Sequence, residues 1–532
     1  MAVPPTQAAG LASLGRVNRL PLVLDVIVGL LTVVALPLAI VAIPNTISVV
    51  SALLPPEMAG VGILRAHGLA LPVMLCVVPL AAAALRWFPT APVLVVGLAF
   101  LAVADLAGGF AGSTPSVGAL RVLHGVGAGV LIPATFAASW ERRDEARGVL
   151  MPIWAAALAV SLLAAQALAL WPLDEVTSWR VTLQPYPLLT GVALALAAVY
   201  LIVARMARES GGVRGSETAP DRGHLALAAG PSAGIAVLAF GTTFDWPSGL
   251  IVAAAAVAVV MLLAMASVAR VEGPGGRALA FVMVAVGLVV LPTAAQMTYV
   301  ELSGLGGPGL SGMWVPFGLA TLIAFAAALM AGRLDEALLP KLIGGGLMTM
   351  VAGLCAVRLV IPTISGIPLV LPFALLTAGA AVAVTSAVRG AGLRAALFGL
   401  SLCFPAVLSG FLLGTGIQVA WLRAVSTSGQ VTSQAMVDGF VGALHIWALV
   451  AGFAVVVVLV LGAVLARRAS DPHSPAAGRS ASVAQVTEPE KDGSPGGPST
   501  GGQDTVMIPV VPPPARSPEG TAGEDGGDDS AR

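Results

Sequence analysis

Leu120-Arg-Val-Leu-His-Gly-Val-Gly-Ala-Gly-Val-Leu-Ile-Pro133 lies inside an apolar run, roughly 117–138, long enough to cross a bilayer. Yet it opens with an arginine and a histidine. An arginine at the centre of a membrane helix costs about 2.5–3.5 kcal/mol on insertion scales. Each glycine in a helix costs roughly 1 kcal/mol against alanine, and three follow here at 125, 127 and 129. A helix carrying all of this must pack closely on its neighbours and offer Arg121 a partner.

The surrounding composition fits that reading. Of 532 residues, 57% are hydrophobic and only 10% charged, with a mean hydropathy of +0.94, which is the signature of an integral membrane protein. Cys76, Cys355 and Cys403 sit in apolar runs without metal or disulfide spacing and read as small core residues. No Walker loop, catalytic motif, metal-ligand cluster or nucleic-acid signature occurs. The chain is therefore expected to be no enzyme, and to need no cofactor, metal or nucleic acid. The first apolar segment lacks a small-residue cleavage site and reads as a retained span.

Hydrophobic runs fall at 20–44, 66–86, 91–111, 117–139, 149–171, 183–204, 224–243, 248–269, 278–300, 311–332, 338–360, 364–388, 392–418 and 440–466, fourteen in all. With the N-terminus inside, Arg86, Arg142, Arg143, Arg205, Arg333, Lys341, Arg389 and Arg467 fall on one side. The opposite side keeps Arg65, Arg121, Arg180, Arg358 and Arg423. By the positive-inside rule both termini are expected in the cytoplasm of a cell-membrane protein. The fold class expected is all-α, two six-helix bundles at 20–204 and 270–468 flanking an inserted helix pair at 224–269. A short cytoplasmic N-terminus (1–19) and a cytoplasmic linker (205–223) complete the body.

The tail, 469–532, is rich in Pro, Gly and Ser and is expected to be disordered. From Asp471 it holds ten acids against four bases, so it carries about −6 and leaves the membrane body at about +6. Its apolar island, Thr505-Val-Met-Ile508, suits either a kinase or docking partner or an unselected spacer.

Arg121-x-x-His124-Gly125-x-Gly127-x-Gly129 resembles the fourth-span motif Arg-x-x-Gln-Gly-x-Gly of the major facilitator superfamily of transporters, with His124 where that family usually has Gln. Ser178-Trp-Arg180 with Pro187, Leu291-Pro292 with Gln296 and Tyr299, and Gly332-Arg-Leu-Asp335 are similar to stretches of its fourteen-span drug:proton antiporter branch. Two signatures depart from the pattern. The loop after the second span keeps only Arg86 of Asp-Arg-x-Gly-Arg-Arg, and Val160-Ser-Leu-Leu-Ala-Ala165 stands where antiporters carry Gly-Pro-x-x-Gly-Gly. The resemblance implies alternating-access export of small, partly apolar compounds, drug-like molecules or envelope and lipid metabolites, with protons as coupling ion. The alternative is a non-transporting membrane protein of the same fold acting through its tail.

Ionisable and amide groups inside spans are the candidates for coupling or transport: Asp25, Asp105, Arg121, His124, Gln166, Gln296 and Glu301. Arg86, Gly332 and Asp335 are remnants of gating loops. Asp105 and Arg121 fall in the outer thirds of adjacent, antiparallel spans, so an ion pair between them is expected, either as a proton site or as plain neutralisation. Should that pair not form, His124 is the other proton carrier. Asp25 lies near the cytoplasmic end and is expected to meet arginines or the headgroup layer there, with a proton site as the alternative. Glu301 is expected as an exposed interfacial acid, with a gate or an attractor of cationic substrates as the alternative, and His445 is expected to hydrogen-bond to a neighbouring helix.

Overall fold

The computed structural model describes residues 20–41, 44, 46, 50, 53–54, 61–173, 178–209, 229–230, 232–237, 247–268, 274–303, 308–427 and 432–470. Among these there is no strand. Fourteen long or short α-helices follow one another: α1 Leu20–Val41, α2 Val61–His67, α3 Ala70–Ala84, α4 Thr90–Gly108, α5 Thr114–Trp140, α6 Asp144–Leu170 and α7 Pro187–Glu209 come first. Then come α8 Ser248–Val268, α9 Pro274–Ser303, α10 Gly309–Arg333, α11 Leu339–Val360, α12 Val370–Arg389, α13 Leu393–Thr427 and α14 Ser433–Ser470. With α2 and α3 counted as one span, thirteen helices are long and apolar enough to cross a membrane. This is a multi-pass membrane protein. The seventh expected span, 224–243, falls largely outside the described residues, as does the tail around Thr505.

The end of the bundle where α1 begins is called proximal here, and the opposite end distal. Helices α1 to α5 and α7 pack chiefly on each other, with α5 held between α3, α4 and α1. Helices α9 to α14 form a second set in which α9 and α13 lie almost wholly buried. Small residues let these two backbones approach: a Cβ on Gly287 would stand 2.1 Å from the Cys403 carbonyl oxygen, and one on Gly410 2.3 Å from that of Leu288. Without a strong hydrophobic drive between helices in lipid, such close packing supplies much of their association. Helix α6 bridges the sets, packing on α9, α10 and α12. Helix α8 lies along α13 and α9.

Local signals explain the start of α5, which positions the site. Ser113 accepts from the Ser116 backbone N–H while the Ser116 hydroxyl accepts from that of Ser113, a reciprocal cap with Pro115 in the first turn. At the proximal end of the same set, Arg142 Nε donates to Asp25 Oδ1 at 2.5 Å and its Nη2 to the Pro21 carbonyl at 3.1 Å. Asp25 thus meets a cytoplasmic-type arginine as its position implied. Both side chains are mostly buried, so the pair is more than a surface contact. Asp25→Asn and Arg142→Gln are each expected to lower stability by about 1–2 kcal/mol. The double variant should lose clearly less than the sum, as read by thermal unfolding in detergent.

Candidate functional site

The helix break between α2 and α3 creates the first element of the site. Gly68 N–H donates to the Arg65 carbonyl and Leu69 N–H to that of Ala66, which leaves the His67 carbonyl without an intrahelical partner. Arg121 fills it, Nε donating at 2.8 Å. The expected Asp105–Arg121 ion pair is therefore not formed. Arg121 sits one turn nearer the start of α5 and reaches the open carbonyl end of α2, whose dipole favours a cation, while His124 faces α4.

Asp105 instead meets His124: the imidazole Nε2 stands 3.0 Å from Asp105 Oδ1. Asp105 and His124 are both almost completely buried. The second carboxyl oxygen, Oδ2, accepts from the Thr190 hydroxyl of α7 at 2.6 Å. The other imidazole nitrogen settles the proton count. His124 Nδ1 lies 2.9 Å from the Leu120 carbonyl, and a carbonyl only accepts, so Nδ1 carries a hydrogen. A bridge from Nε2 to the carboxyl then needs one more proton, on the imidazole or on the acid. Either way Asp105 and His124 together hold one bridging proton and are neutral as a pair.

A second histidine sits next to them. His67 Nε2 is 3.0 Å from the Thr182 hydroxyl, whose single hydrogen goes to the Trp179 carbonyl at 2.6 Å. His67 is therefore the Nε2–H tautomer, and its Nδ1 is buried without a partner. Sequence reading passed over His67, because nothing in its spacing marks it; the break after α2 brings it here.

A cavity of about 30 Å³ opens between these groups, enough for one or two waters. Its walls come from the end of α1 (Leu38, Val41), from Leu101 and Asp105 of α4, from Arg121 and His124 of α5, and from Thr182, Tyr186 and Thr190. It lies inside the first helix set. A small apolar cluster of Ala66, Ala111, Val117, Leu120, Trp179 and Leu183, separate from the main core, packs at the distal end.

The other candidates lie apart from this cavity. Gln166 Nε2 on α6 donates to the Tyr299 hydroxyl on α9 at 3.3 Å, and Trp171 meets Trp314 edge to face at 4.8 Å. These contacts join the two helix sets. Gln296 covers Gly414, where a Cβ would lie 2.0 Å from its Nε2, so its amide is part of the α9–α13 contact. Glu301 differs from expectation: it is 2% exposed, accepts from the Thr363 backbone N–H, and keeps Oε1 without a partner. The segment after α11 covers it, which no local pattern announces. His445 Nε2–H donates to the Ile361 carbonyl just past the end of α11.

Among the loop remnants, Gly332 packs on α6, where a Cβ would stand 2.5 Å from Pro152 Cγ. Arg389 of α12 donates to the Ala331 and Leu334 carbonyls at the end of α10. Asp335 is exposed and opens the turn Glu336–Leu338, while Arg86 is half-buried after α3.

No family profile and no curated protein sequence matches the chain. Among solved structures, the POT family transporter PepTSo aligns at 14% identity with a TM-score of 0.50, over 83% of this chain and 98% of its own. A bacterial homologue of the iron transporter ferroportin in its outward-facing state aligns at 13% identity and 0.50, over 84% and 100%. The proton:xylose symporter XylE of the major facilitator superfamily aligns at 11% identity over 81% of this chain and 94% of its own, with a TM-score of 0.46. At these identities the likeness to the first two, each with a TM-score of 0.50, shows a shared fold alone.

Proposed function

From the fold this chain shares with those transporters, the one its fourth-span motif led us to expect, we propose that it is a secondary transporter of the major facilitator type. It exports small, partly apolar compounds by alternating access and is coupled to protons. The two bundles at 20–204 and 270–468 rock about α6 with both termini cytoplasmic, which makes the distal end the outer one.

One observation carries the coupling: the Leu120 carbonyl fixes the His124 tautomer, so the contact to Asp105 requires a bound proton. Loss of that proton would set a lone pair against a carboxylate and break the bridge. Asp105 would then be free to turn to Arg121, which borders the same cavity. A group that exchanges partners on deprotonation has the chemistry a coupled transporter needs, since the proton biases one arrangement over the other.

The test is uptake into inverted membrane vesicles with an imposed pH gradient. A panel of lipophilic cations, antibiotics and amphipathic acids is screened, and a single reactive cysteine in the 205–223 loop reports vesicle sidedness. Gradient-dependent uptake of any panel compound is the expected result. Uptake that ignores the gradient would remove the coupling. Binding partners recovered through the tail, without any flux, would favour the non-transporting alternative.

A further inference from the structure

We infer that the cavity beside Arg121 binds a small monovalent anion together with the proton of the Asp105–His124 bridge. The inference rests on the reading of that bridge as a proton site, and it adds the charge class of what binds there.

The groups that face one another around the cavity sum to one net positive charge. Asp105 and His124 hold one bridging proton and sum to zero in either arrangement of it. His67, from α2, is neutral because its Nε2–H donates to Thr182 and its Nδ1 meets nothing. Tyr186 spends its hydroxyl hydrogen on the Leu168 carbonyl. Arg121 remains, 6% exposed, with a guanidinium that touches the protein only through Nε and the His67 carbonyl among the described residues. The buried group thus carries one net positive charge without a carboxylate for it. A buried cation requires a counter-charge, and both Nη groups are left to supply the two-pronged donor geometry that suits a carboxylate.

The surroundings favour the same sign. Thr46, on the same wall, has a buried hydroxyl without a hydrogen-bond partner among the described residues. The cavity wall combines the guanidinium and the Thr46 hydroxyl with Leu38, Val41 and Leu101. That pairing of one cation with apolar walls fits a halide or the head of a small, partly apolar carboxylate. When the bridge loses its proton, Asp105 becomes the anion that Arg121 lacks, and an external anion is displaced. Proton and anion therefore bind together, and linkage makes each strengthen the other equally.

Purified protein in nanodiscs, held in weak buffer near pH 6.5, is titrated with sodium chloride, acetate and butyrate, with sulfate at matched ionic strength as control. Protons are counted by a pH-indicator dye. Repeated over a range of pH, the titration should show saturable proton uptake with the monovalent anions, never more than one per protein, wherever the anion-free bridge has lost its proton, and anion affinity should fall as pH rises through that range. Response to chloride alone assigns the site to a halide; response growing from acetate to butyrate assigns it to a carboxylate head. Asp105→Asn and Arg121→Gln should abolish the uptake, while Arg121→Lys keeps the charge and should retain it at weaker anion affinity. Should Arg121→Gln not fold, the anion selectivity of the unaltered protein and the lysine variant still decide.

Equal uptake with sulfate, or none with any anion, overturns the inference. The proton site is checked separately by difference infrared spectroscopy without added anion. A carboxyl band that titrates and vanishes in Asp105→Asn keeps the proton site even if the anion fails.

Discussion

Asp105→Asn should abolish acceleration of transport by a pH gradient while leaving downhill flux of the same compound in place. One proton moved per cycle across one pH unit is worth 1.36 kcal/mol, about tenfold accumulation. Loss of Asp105 should reduce that factor to about one. The amide still accepts from Thr190 and still faces His124, so the helices stay together, but no group at this position can then take up and release the proton. His124→Gln is the informative companion, because it restores the residue usual in the resembling family. A glutamine can donate to Asp105 and preserve the contact between α4 and α5. It has no ring nitrogen to hold the bridging proton, so any pH dependence of transport that this proton confers should disappear. Combining the two should cost little beyond Asp105→Asn alone, since both report one proton. Flux in proteoliposomes with and without a gradient reads all three. Full pH-driven accumulation in Asp105→Asn would remove the bridge from the coupling step.

Gly125→Val should destroy the folded protein. A Cβ at Gly125 would lie 2.4 Å from the Ala70 carbonyl oxygen and 2.8 Å from Val73 Cβ, both on α3. One turn on, Gly129 lies as close to Val77, and on the other side Gly127 lies 2.8 Å from the Gly97 carbonyl of α4. A backbone oxygen cannot swing aside like a side-chain tip, so α5 would have to move bodily. Even alanine should cost about 1–3 kcal/mol by overpacking. Valine should cost more than about 4 kcal/mol, a large part of the stability of an ordinary domain. Gly191→Val on α7, where a Cβ meets nothing within 4 Å, should stay within about 0.5 kcal/mol. Size-exclusion profiles and thermal shifts of the detergent-solubilised variants would show the contrast. A well-folded Gly125→Val protein would contradict the close approach of α3 and α5.

Those glycines also show what the sequence made legible. Spans, their order and the tight α3–α5 contact follow from apolar length and from Gly125, Gly127 and Gly129, because a bilayer leaves backbone polar groups little choice but a helix. The depth of Asp105, Arg121 and His124 was equally readable, since position along a span is arithmetic. Their pairing was not. Which of two basic groups on one helix meets an acid on the next depends on rotation about the helix axis, and Arg121 was drawn away by a carbonyl freed at a helix break between Val61–His67 and Ala70–Ala84. Ordinary hydropathy reads those two pieces as one span. Glu301 failed for a similar reason, being buried by a segment sixty residues further on.

The separate distal cluster has a kinetic consequence. Among the described residues its buried part comprises six, led by Trp179 and Leu120, and a small patch opens locally at lower cost than a large core does. Opening of so small a patch falls at the fast end of the microsecond-to-second range of local unfolding, while lid motions and product release often limit turnover. Protonation of the Asp105–His124 bridge would then come to equilibrium with the adjoining solution before the helix sets change places. Acidity on the distal side would act as a thermodynamic setting on the fraction of molecules ready to move, and the slow exchange of the two bundles would alone fix the pace.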